Sequence, residues 1–258
     1  MARSHVRRLR IEDVRRELWK ADGLAPGLVI RVLNLDEETG GRTLIVDVPP
    51  RWEQPAHHHT CDEELLVLDG ELRSGAASHP AGHYCFRPAG TAHSAVSSPG
   101  GARLLYWHDG SFDLRAGEPP AGAGGARPLI DGLDTRVGAE DWDVLPVALP
   151  RDVAMIRMRS FELTGADNTL EWLPDGFQSH AREFHTADEE ILILDGWAAT
   201  DARHVYVAGE YLFWKAGTVH GPTEAWNCKA VVKHYGKHET VHVPLDLRLR
   251  DAVPEPGA

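Results

Sequence analysis

Short apolar runs separated by turn residues set the pattern of this chain. In the first half they read GRTLIVDV, EELLVLDG, GHYCFRP and ARLLYWH, each bounded by Gly, Pro or Asp. Runs of this length and spacing predict the strands of an all-β sandwich or barrel. Helical periodicity is weak outside residues 11–19 and 138–143. We therefore expect an all-β fold in which antiparallel strands close into small barrels or jelly rolls.

The same series of runs occurs twice. The segment HTCDEELLVLDG at 59–70 aligns with HTADEEILILDG at 185–196, an offset of 126 residues. A second block, AGHYCFRPAGTAHSA at 81–95, aligns with AGEYLFWKAGTVHGP at 208–222, an offset of 127 residues. Matching blocks in the same order indicate two copies of one domain-sized unit. We predict an N-terminal domain over 1–114, a linker rich in Pro, Gly and Ala over 115–128, and a C-terminal domain over 129–258.

Charge and composition narrow the possible partners. The 258-residue chain has a net charge of −12, and an acidic surface repels phosphate, which argues against a nucleic-acid partner. The basic N-terminal segment is interpreted as solvated. No apolar run approaches the roughly 18–20 residues of a membrane span, and the N-terminus lacks the apolar centre of a signal peptide. We therefore expect a cytoplasmic protein without a membrane partner. The 3 cysteines show no zinc-finger spacing and predict no disulfide framework.

Histidines and glutamates cluster at the start of one apolar run, in HHHTCDEELLVLDG. Side chains at i and i+2 of a strand share a face, so His57 and His59 can both point inward. His58 then points away and is expected to be exposed. Glu63 shares the parity of the inward pair, and a later turn is expected to bring His93 back towards them. Imidazoles and one carboxylate form a mixed nitrogen and oxygen site suited to a divalent transition metal such as Fe, Mn, Ni, Cu or Zn.

The alternative is that these histidines belong to a surface loop, which we would favour for any one of them alone. Three other residues lie in or near the segments that hold the candidate ligands. Cys61 is expected to be a small residue in a turn. Cys85 is expected to pack in the core of its strand. Arg87 is expected either to face a substrate anion or to lie on the surface.

Two segments of the chain resemble the two sequence motifs of the cupin superfamily. The first motif is HxH followed by Glu and Gly, and the second begins with Gly and ends with PxG and His. The matching residues are His57, His59, Glu63 and Gly70, then Gly82, Pro88, Gly90 and His93. The segments EELLVLDG and AGHYCFRPAGTAH further resemble the sequences of the ChrR-like cupin branch.

Since both repeats carry this pattern, the whole chain resembles a bicupin. The resemblance implies two tandem jelly-roll barrels, also called double-stranded β-helices. It fixes Glu63 rather than Glu64 as the carboxylate of the first site. It also implies a small-molecule ligand and association into a homodimer.

The second repeat departs from the motif at two positions. Its candidate ligands, in order, are Glu183, His185, Glu189 and His220, so that a glutamate stands at the position of the first histidine. Lys215 replaces the motif proline. Two alternatives stay open: Glu183 completes a harder site that favours Mn or Fe, or the site has decayed into a hydrogen-bonded polar cluster. His180 is a further candidate ligand from the preceding loop.

Two classes of function follow from these residues. In the first, the metal carries the chemistry, and the resemblance implies a dioxygenase that acts on an oxygenated small molecule such as a diketone or hydroxyketone. No separate general base is identified. In the second, the protein is a non-enzymatic cupin that senses a ligand or a metal. The lack of a CxxC motif argues against the anti-sigma-factor role of some ChrR-like proteins. A third arrangement, one working site with a second unit kept for packing, is compatible with the first.

Overall fold

Strands form almost all of the regular structure in the part of the chain that the structure describes. The computed structural model describes residues 3–120, 127–136, 143–145, 153–160, 166–179, 181–201 and 204–243. These residues contain no α-helix, and the all-β prediction is confirmed. Within the same residues, no helix has the length and apolar character needed to cross a membrane.

The two segments with helical periodicity do not form helices where they are described. Only Ile11–Asp13 is helical, as one 3₁₀ turn, and Glu17–Leu18 is a strand. Residues 138–142 lie outside the described residues. Apolar side chains in the first segment are therefore spaced for a turn followed by a strand, and the helical interpretation of 11–19 was wrong.

The strands are numbered in chain order. The first twelve are β1 Val6–Arg10, β2 Glu17–Leu18, β3 Val29–Leu35, β4 Gly40–Val48, β5 Trp52–Gln54, β6 His57–His58, β7 Glu63–Ser74, β8 Ala77–Pro80, β9 His83–Arg87, β10 Val96–Ser98, β11 Ala102–Gly110 and β12 Arg115–Ala116. The others are β13 Ile130–Asp134, β14 Asp143–Leu145, β15 Val153–Ser160, β16 Asp167–Leu173, β17 Phe177–Gln178, β18 Arg182–His185, β19 Glu189–Asp201, β20 His204–Val207, β21 Glu210–Trp214, β22 Glu224–His234 and β23 Thr240–Val243.

The chain divides into two compact units. The first comprises Met1–Ser4 and Ile11–Val137. Its main sheet has the order β13-β9-β7-β11-β4-β3-β2, with β8 and β10 paired to β7 beside that path. A separate two-stranded pairing joins β12 to β6. Sheet neighbours such as β4 and β11 are far apart in sequence and antiparallel, which is the connectivity of a jelly roll.

The second compact unit comprises His5–Arg10 and Gly138–Ala258. Its main sheet has the order β1-β21-β19-β22-β16-β15-β14, with β17 paired to β22 and β20 to β19. The pair β18 and β23 stands apart. The order β21-β19-β22-β16 repeats the order β9-β7-β11-β4 of the first unit, as the sequence repeat requires.

One edge strand of each main sheet comes from beyond the corresponding sequence repeat. β13 pairs with β9 in the first unit, and β1 pairs with β21 in the second. Arg8 Nη2 and Arg10 Nε lie 2.6 Å and 3.0 Å from Oε1 of Glu210, which is 1% exposed. Part of the basic N-terminal segment is therefore a structural strand held by ion pairs. Neither edge pairing follows from the hydropathy pattern.

Each unit has an apolar core on one face of its strands. Leu44 and Val46 of β4 are two residues apart and pack into the same core cluster. Ala230 and Val232 of β22 do so in the second unit. This period of two places successive side chains on opposite faces, so the apolar runs of the sequence supply the inner faces.

The glycine that ends the first motif is required by a close backbone approach. Gly70 has a φ of 73°, and a Cβ there would lie 2.2 Å from the carbonyl oxygen of Gly101. Gly196 of the second unit has a φ of 65°, and its Cβ would lie 2.1 Å from the carbonyl oxygen of Asn227. Only glycine fits a left-handed position with a backbone oxygen so near.

Candidate metal centre

Three histidine side chains meet in the interior of the first unit. His57 and His93 face each other across an isolated antiparallel bridge, with backbone hydrogen bonds of 3.2 Å and 2.8 Å. The amide of Gly90 donates to the carbonyl of His59 at 2.8 Å and holds the second motif against the first. One ligand atom from each of the three rings lies within 4.8 Å of the other two. The structure thus brings together the two histidines that the parity argument selected and His93, which the later turn was expected to bring back.

Backbone carbonyls orient two of these rings. Nδ1 of His57 donates to the carbonyl oxygen of Pro55 at 2.8 Å, and Nδ1 of His59 donates to that of Asp113. Because a carbonyl oxygen only accepts, each Nδ1 carries the proton and Nε2 keeps the lone pair. Metal-binding histidines are commonly held in this way by an acceptor behind the ring. The donor set therefore fits a transition-metal ion.

Glu63 lies beside the three histidines and is tied to two further side chains. Its Oε2 is 3.4 Å from Nε2 of His59 and accepts a hydrogen bond from the Tyr106 hydroxyl at 2.8 Å. Its Oε1 accepts a hydrogen bond from Nη1 of Arg87 at 2.7 Å. All these side chains are buried. A carboxylate offers about four lone pairs, so these bonds orient Glu63 and leave acceptor capacity for an ion.

Burial and charge set the protonation of the site. Burial lowers the pKa of His93 to about 3 and also lowers the pKa of His57. Burial alone would lower the pKa of His59, but hydrogen bonding to Glu63 and the charge of that carboxylate raise it. Burial disfavours ionised Glu63, yet the cationic groups around it, with Arg87 permanently charged, hold its pKa well below the usual range. Near neutral pH the cluster offers one carboxylate and at least two neutral imidazoles.

Aromatic and aliphatic side chains close the site from solvent. Phe112 lies 4.9 Å from the ring of His59, and Trp19 packs 4.5 Å from Phe112 and 5.5 Å from Tyr106, measured between ring centroids. The remaining cavity is about 70 Å³ and is lined by the three histidines, Glu63, Arg87, Gln54 and mostly apolar residues. Only the end of a small molecule fits a space of this size.

Two neighbouring residues differ from their predicted environments. His58 does point away from the cluster, but it is 6% exposed rather than solvated, because β12 covers β6 and Gly117 accepts at 3.1 Å from its Nδ1. Arg87 is buried against Glu63 and does not lie on the surface. Cys61 lies in a bend and is buried, and Cys85 is in the core, as predicted.

The second unit has the same strand register as the first around its cluster, but different side chains occupy some of the positions. Glu183 and His220 face each other across the corresponding bridge, and Nε2 of His220 is 3.6 Å from Oε1 of Glu183. Nε2 of His185 is 3.5 Å from Oε1 of Glu189. Glu183, His185 and His220 form a group whose ligand atoms lie within 4.8 Å of one another. The predicted residues of the second site are therefore also clustered, while His180 lies outside the described residues.

A fifth residue of the second cluster was missed by the sequence analysis. Nε2 of His234 lies 3.6 Å from Oε1 of Glu189, and its Nδ1 is 2.8 Å from Oδ1 of Asp167. His234 pairs in register with Glu189 just as His108 pairs with Glu63. His234 could have been found from the alignment of KHYG at 233–236 with WHDG at 107–110, because both blocks contain a histidine at the second position.

The residues that hold the motif glutamate are not repeated. By strand register, Trp214 and Val232 take the positions of Arg87 and Tyr106. Oε2 of Glu189 is buried and has no hydrogen-bond partner among the described residues. Among the described residues, the carboxylate of Glu189 is therefore held by fewer hydrogen-bond donors than the carboxylate of Glu63.

The second unit also encloses a larger space. Its cavity is about 440 Å³, within the range of about 300–1,000 Å³ typical of small-molecule sites. Apolar side chains such as Phe177, Ile193 and Leu212 line most of it, with Glu183 and Glu189 among the polar residues. This cavity can enclose a whole small molecule, unlike the space beside His57.

Charges in the second cluster are already paired. Burial alone would lower the pKa of His234, but the carboxylates of Asp167 and Glu189 raise it to about 10. Burial likewise opposes the charge of His220, and the nearby carboxylate of Glu183 raises the pKa of that imidazole. A metal ion entering here must displace these protons, which weakens its binding relative to the first cluster.

Comparison with known proteins agrees with the fold and the motif. Residues 13–113 match the ChrR cupin-like domain. The match covers the first sequence repeat with both motif segments and agrees with a cupin-like domain there. No curated protein sequence matches the chain significantly.

Solved structures extend the likeness in fold beyond this cupin domain. A candidate dioxygenase from Nostoc punctiforme superposes with a TM-score of 0.79 at 17% identity, over 92% of this chain and 88% of its own. Oxalate decarboxylase from Bacillus subtilis, in a mutant form, superposes with a TM-score of 0.56 at 14% identity, over 92% of this chain and 79% of its own. The same enzyme at pH 4.6 gives 0.55 at 14% identity, over 92% of this chain and 78% of its own. Sequence identities this low show only that the fold is that of a cupin. The histidine clusters, together with these neighbours, indicate a divalent metal and a small-molecule ligand.

Proposed function

We propose that the chain is a bicupin metalloenzyme of the dioxygenase type, with its working site in the first unit. By sequence the two domains extend over 1–114 and 129–258, except that β1 joins the sheet of the second unit and β13 that of the first. The observation that carries the proposal is the interior cluster of His57, His59 and His93, with two rings fixed by backbone carbonyls. Glu63 is the fourth ligand. A bound divalent transition metal would supply Lewis acidity there and, with a redox-active ion such as iron, activation of dioxygen.

The residues of the chain do the positioning. Arg87 and Tyr106 hold the Glu63 carboxylate ionised and fixed in direction. Trp19 and Phe112 exclude water from the imidazole faces. Water takes up roughly 30 Å³ per molecule, so the cavity of about 70 Å³ admits only the reacting end of a substrate. An oxygenated end, as in a diketone or hydroxyketone, supplies the polar atoms that such a centre binds.

The ligand set is tested by metal content. Untagged protein is stripped with a chelator, reloaded anaerobically with Fe(II), Mn(II), Ni(II) or Zn(II), and analysed by mass spectrometry of the metal. His57→Ala and His93→Ala should each lose the ion from the first unit, whereas His58→Ala, one residue from His57, should keep it. A protein that takes up none of the four ions would disprove the metal site.

The reaction class is tested separately with oxygen uptake. The iron-loaded protein is screened against β-diketones and hydroxyacetophenones, with the His57→Ala protein as the inactive control. Consumption of oxygen with cleavage of a carbon–carbon bond supports the dioxygenase. No uptake with any substrate of the panel would count against that reaction class while leaving the metal site intact.

A second function is favoured by the cavity of about 440 Å³ in the second unit. In this alternative the protein binds or senses an apolar small molecule without turnover. Ligand binding would then persist in metal-free protein and would be lost when Ala198, which lines that cavity, is replaced by Leu or Phe. Binding that requires the metal of the first unit would exclude this alternative.

A further inference from the structure

A further cluster of metal-ligating side chains lies in the first unit, separate from the three-histidine cluster. His79 of β8, Cys85 of β9 and Asp131 of β13 each place one ligand atom within 4.8 Å of the other two. β13 pairs with β9, and Asp131 is the register partner of Cys85. The strand that the sequence analysis did not assign to this sheet thus supplies one of the three groups.

The imidazole of His79 is buried, at 2% exposure, and the described residues leave both of its ring nitrogens, Nδ1 and Nε2, without a hydrogen bond. Its Nε2 lies 3.3 Å from Oδ1 of Asp131, without the geometry of a hydrogen bond. Burial also lowers the pKa of this imidazole. A neutral ring with an open lone pair beside a carboxylate oxygen is stabilised by a cation between them, because buried polar groups without partners are costly.

The backbone is shaped around this imidazole. Gly132 has a φ of 83°, and a Cβ there would lie 2.8 Å from Nδ1 of His79 and 3.3 Å from Nδ1 of His83. A bulge interrupts the pairing of β13 and β9 between Asp131 and Leu133. Bulges commonly redirect a side chain next to a site, and here the bulge and the glycine admit the ring.

The cysteine is not a requirement of the repeated fold. By strand register and alignment, Tyr206 and Leu212 of the second unit take the positions of His79 and Cys85. Both are apolar-packing residues of the second core. At these two core positions the first unit therefore has an imidazole and a thiol. The second unit forms the same architecture without either group.

We propose that His79, Cys85 and Asp131 bind a zinc-class divalent cation in a site distinct from the three-histidine cluster. Thiolate, imidazole and carboxylate together are a donor set that zinc accepts, and around a tetrahedral ion with bonds of about 2.0–2.3 Å the ligand atoms lie roughly 3.3–3.8 Å apart. The distance of 3.3 Å between His79 and Asp131 already matches. Asp131 is 43% exposed and opens the site to solvent, so a water completes the fourth position. Binding releases the thiol proton of Cys85, whose pKa burial raises to about 11.

The site is linked to the first cluster by one side chain. Nη2 of Arg87 lies 3.8 Å from Oδ1 of Asp131, while its Nη1 donates to Glu63 at 2.7 Å. A cation on Asp131 draws that carboxylate away from Arg87 and strengthens the pairing of Arg87 with Glu63. The second ion would therefore stabilise the carboxylate that completes the three-histidine cluster.

Cobalt(II) distinguishes this site from the first cluster, because a near-ultraviolet sulfur-to-cobalt charge-transfer band requires a thiolate ligand. Chelator-treated full-length protein is titrated with Co(II), both as the wild type and as the His57→Ala/His93→Ala double variant. We expect the band to saturate at one equivalent in the double variant, and in the wild type at the same final amplitude once Co(II) has also filled the first cluster. Addition of Zn(II) should remove the band in both proteins. Cys85→Ala should abolish it, and Asp131→Asn, a change at a half-exposed position, should weaken Co(II) binding by about tenfold or more.

Matched variants separate Cys85 from the other two buried cysteines. Cys61→Ala and Cys228→Ala should both retain the band at full amplitude. Circular dichroism confirms that each variant is folded. Absence of the band in folded wild-type protein, or its persistence in Cys85→Ala, would overturn the proposal. Loss of metal from the first cluster alone would leave the cobalt band unchanged, so the two proposals fail independently.

Discussion

Arg87 donates from Nη1 to Oε1 of Glu63 across 2.7 Å, and both side chains are buried, at 7% and 6% exposure. This pair joins the end of β9 to the start of β7, where the two strands are in register. It converts an isolated buried carboxylate into one that stays ionised beside three imidazoles. In the second unit Trp214 stands in the register position of Arg87, and the cation beside Glu189 is His234 instead.

Removal of Arg87 should destabilise the first unit strongly. Arg87→Met leaves the Glu63 charge buried without its cation, and breaking a buried ion pair from one side costs about 3–5 kcal/mol. The free energy of unfolding, measured by urea denaturation of metal-free protein, reports this loss. Arg73→Met serves as the control, because Arg73 is 52% exposed and pairs with a surface glutamate, so its unfolding midpoint should not move. Equal effects of the two changes would contradict the role given to the buried pair.

Gly70 should not accept a side chain. Gly70→Ala forces a Cβ to within 2.2 Å of the Gly101 carbonyl oxygen at a left-handed backbone position, and such strain costs about 1–3 kcal/mol. Gly100 provides a control, since a Cβ there meets nothing within 4 Å. We expect thermal unfolding of the Gly70 variant to shift to lower temperature and that of Gly100→Ala to remain near the wild type. A Gly70→Ala protein as stable as the wild type would show that the β7 turn relaxes freely.

The charge of His234 should make stability fall at alkaline pH. Its pKa in the folded protein is raised from 6.5 to about 10, so the folded state binds this proton more tightly than the unfolded state does. The contribution is fully present below about 6.5 and is lost as the pH rises towards 10, at up to about 1.4 kcal/mol per pH unit. Unfolding free energies between these pH values should decline less steeply in His234→Gln. His204→Gln, at an exposed position, should leave the wild-type slope unchanged, and an unchanged slope in His234→Gln would refute the assignment.

Metal binding by the first cluster should weaken as the pH falls. The pKa of His59 is raised by its hydrogen bond to Glu63, against the effect of burial, so a proton competes with the ion at this ring first. Equilibrium dialysis against a fixed free-metal concentration across the acidic range measures the midpoint of loss. Tyr106→Phe frees Oε2 of Glu63 from its hydroxyl donor and strengthens the pairing with protonated His59. That variant should therefore lose metal at a higher pH than the wild type, and a shift to lower pH would argue against the proton competition.

The second unit should bind divalent metal less tightly than the first. Its imidazoles at His220 and His234 carry raised pKa values because carboxylates pair with them, and these protons must leave before an ion enters. Glu183→His restores the third imidazole of the motif and removes the partner of His220. Metal titration of this variant should show one tight equivalent more than the unaltered protein, contributed by the restored cluster. Tight binding to the unaltered second cluster, seen as a tight equivalent that persists in the His57→Ala/Cys85→Ala protein, would contradict the expectation.

The sequence by itself determined the all-β fold and the repeat, and it selected four residues of each cluster, although it missed His234. Apolar runs with a period of two define which strand face is buried, and the parity of His57 and His59 follows from the same period. The internal copy identified Glu183 as the variable position. The motif glycine at Gly70 was also predicted from sequence, although its reason, a carbonyl oxygen 2.2 Å from any Cβ, is a tertiary fact.

Only the tertiary structure decided what surrounds those residues. Strand pairing between distant segments placed Arg87 and Tyr106 on Glu63 and His234 on Glu189, and hydropathy does not encode such partners. It also covered His58, paired β1 and β13 with the sheets, and brought His79, Cys85 and Asp131 together from three strands. Local pattern fixes which face a side chain occupies, whereas the neighbours that it meets there are set by long-range register, and register is a property of the folded chain.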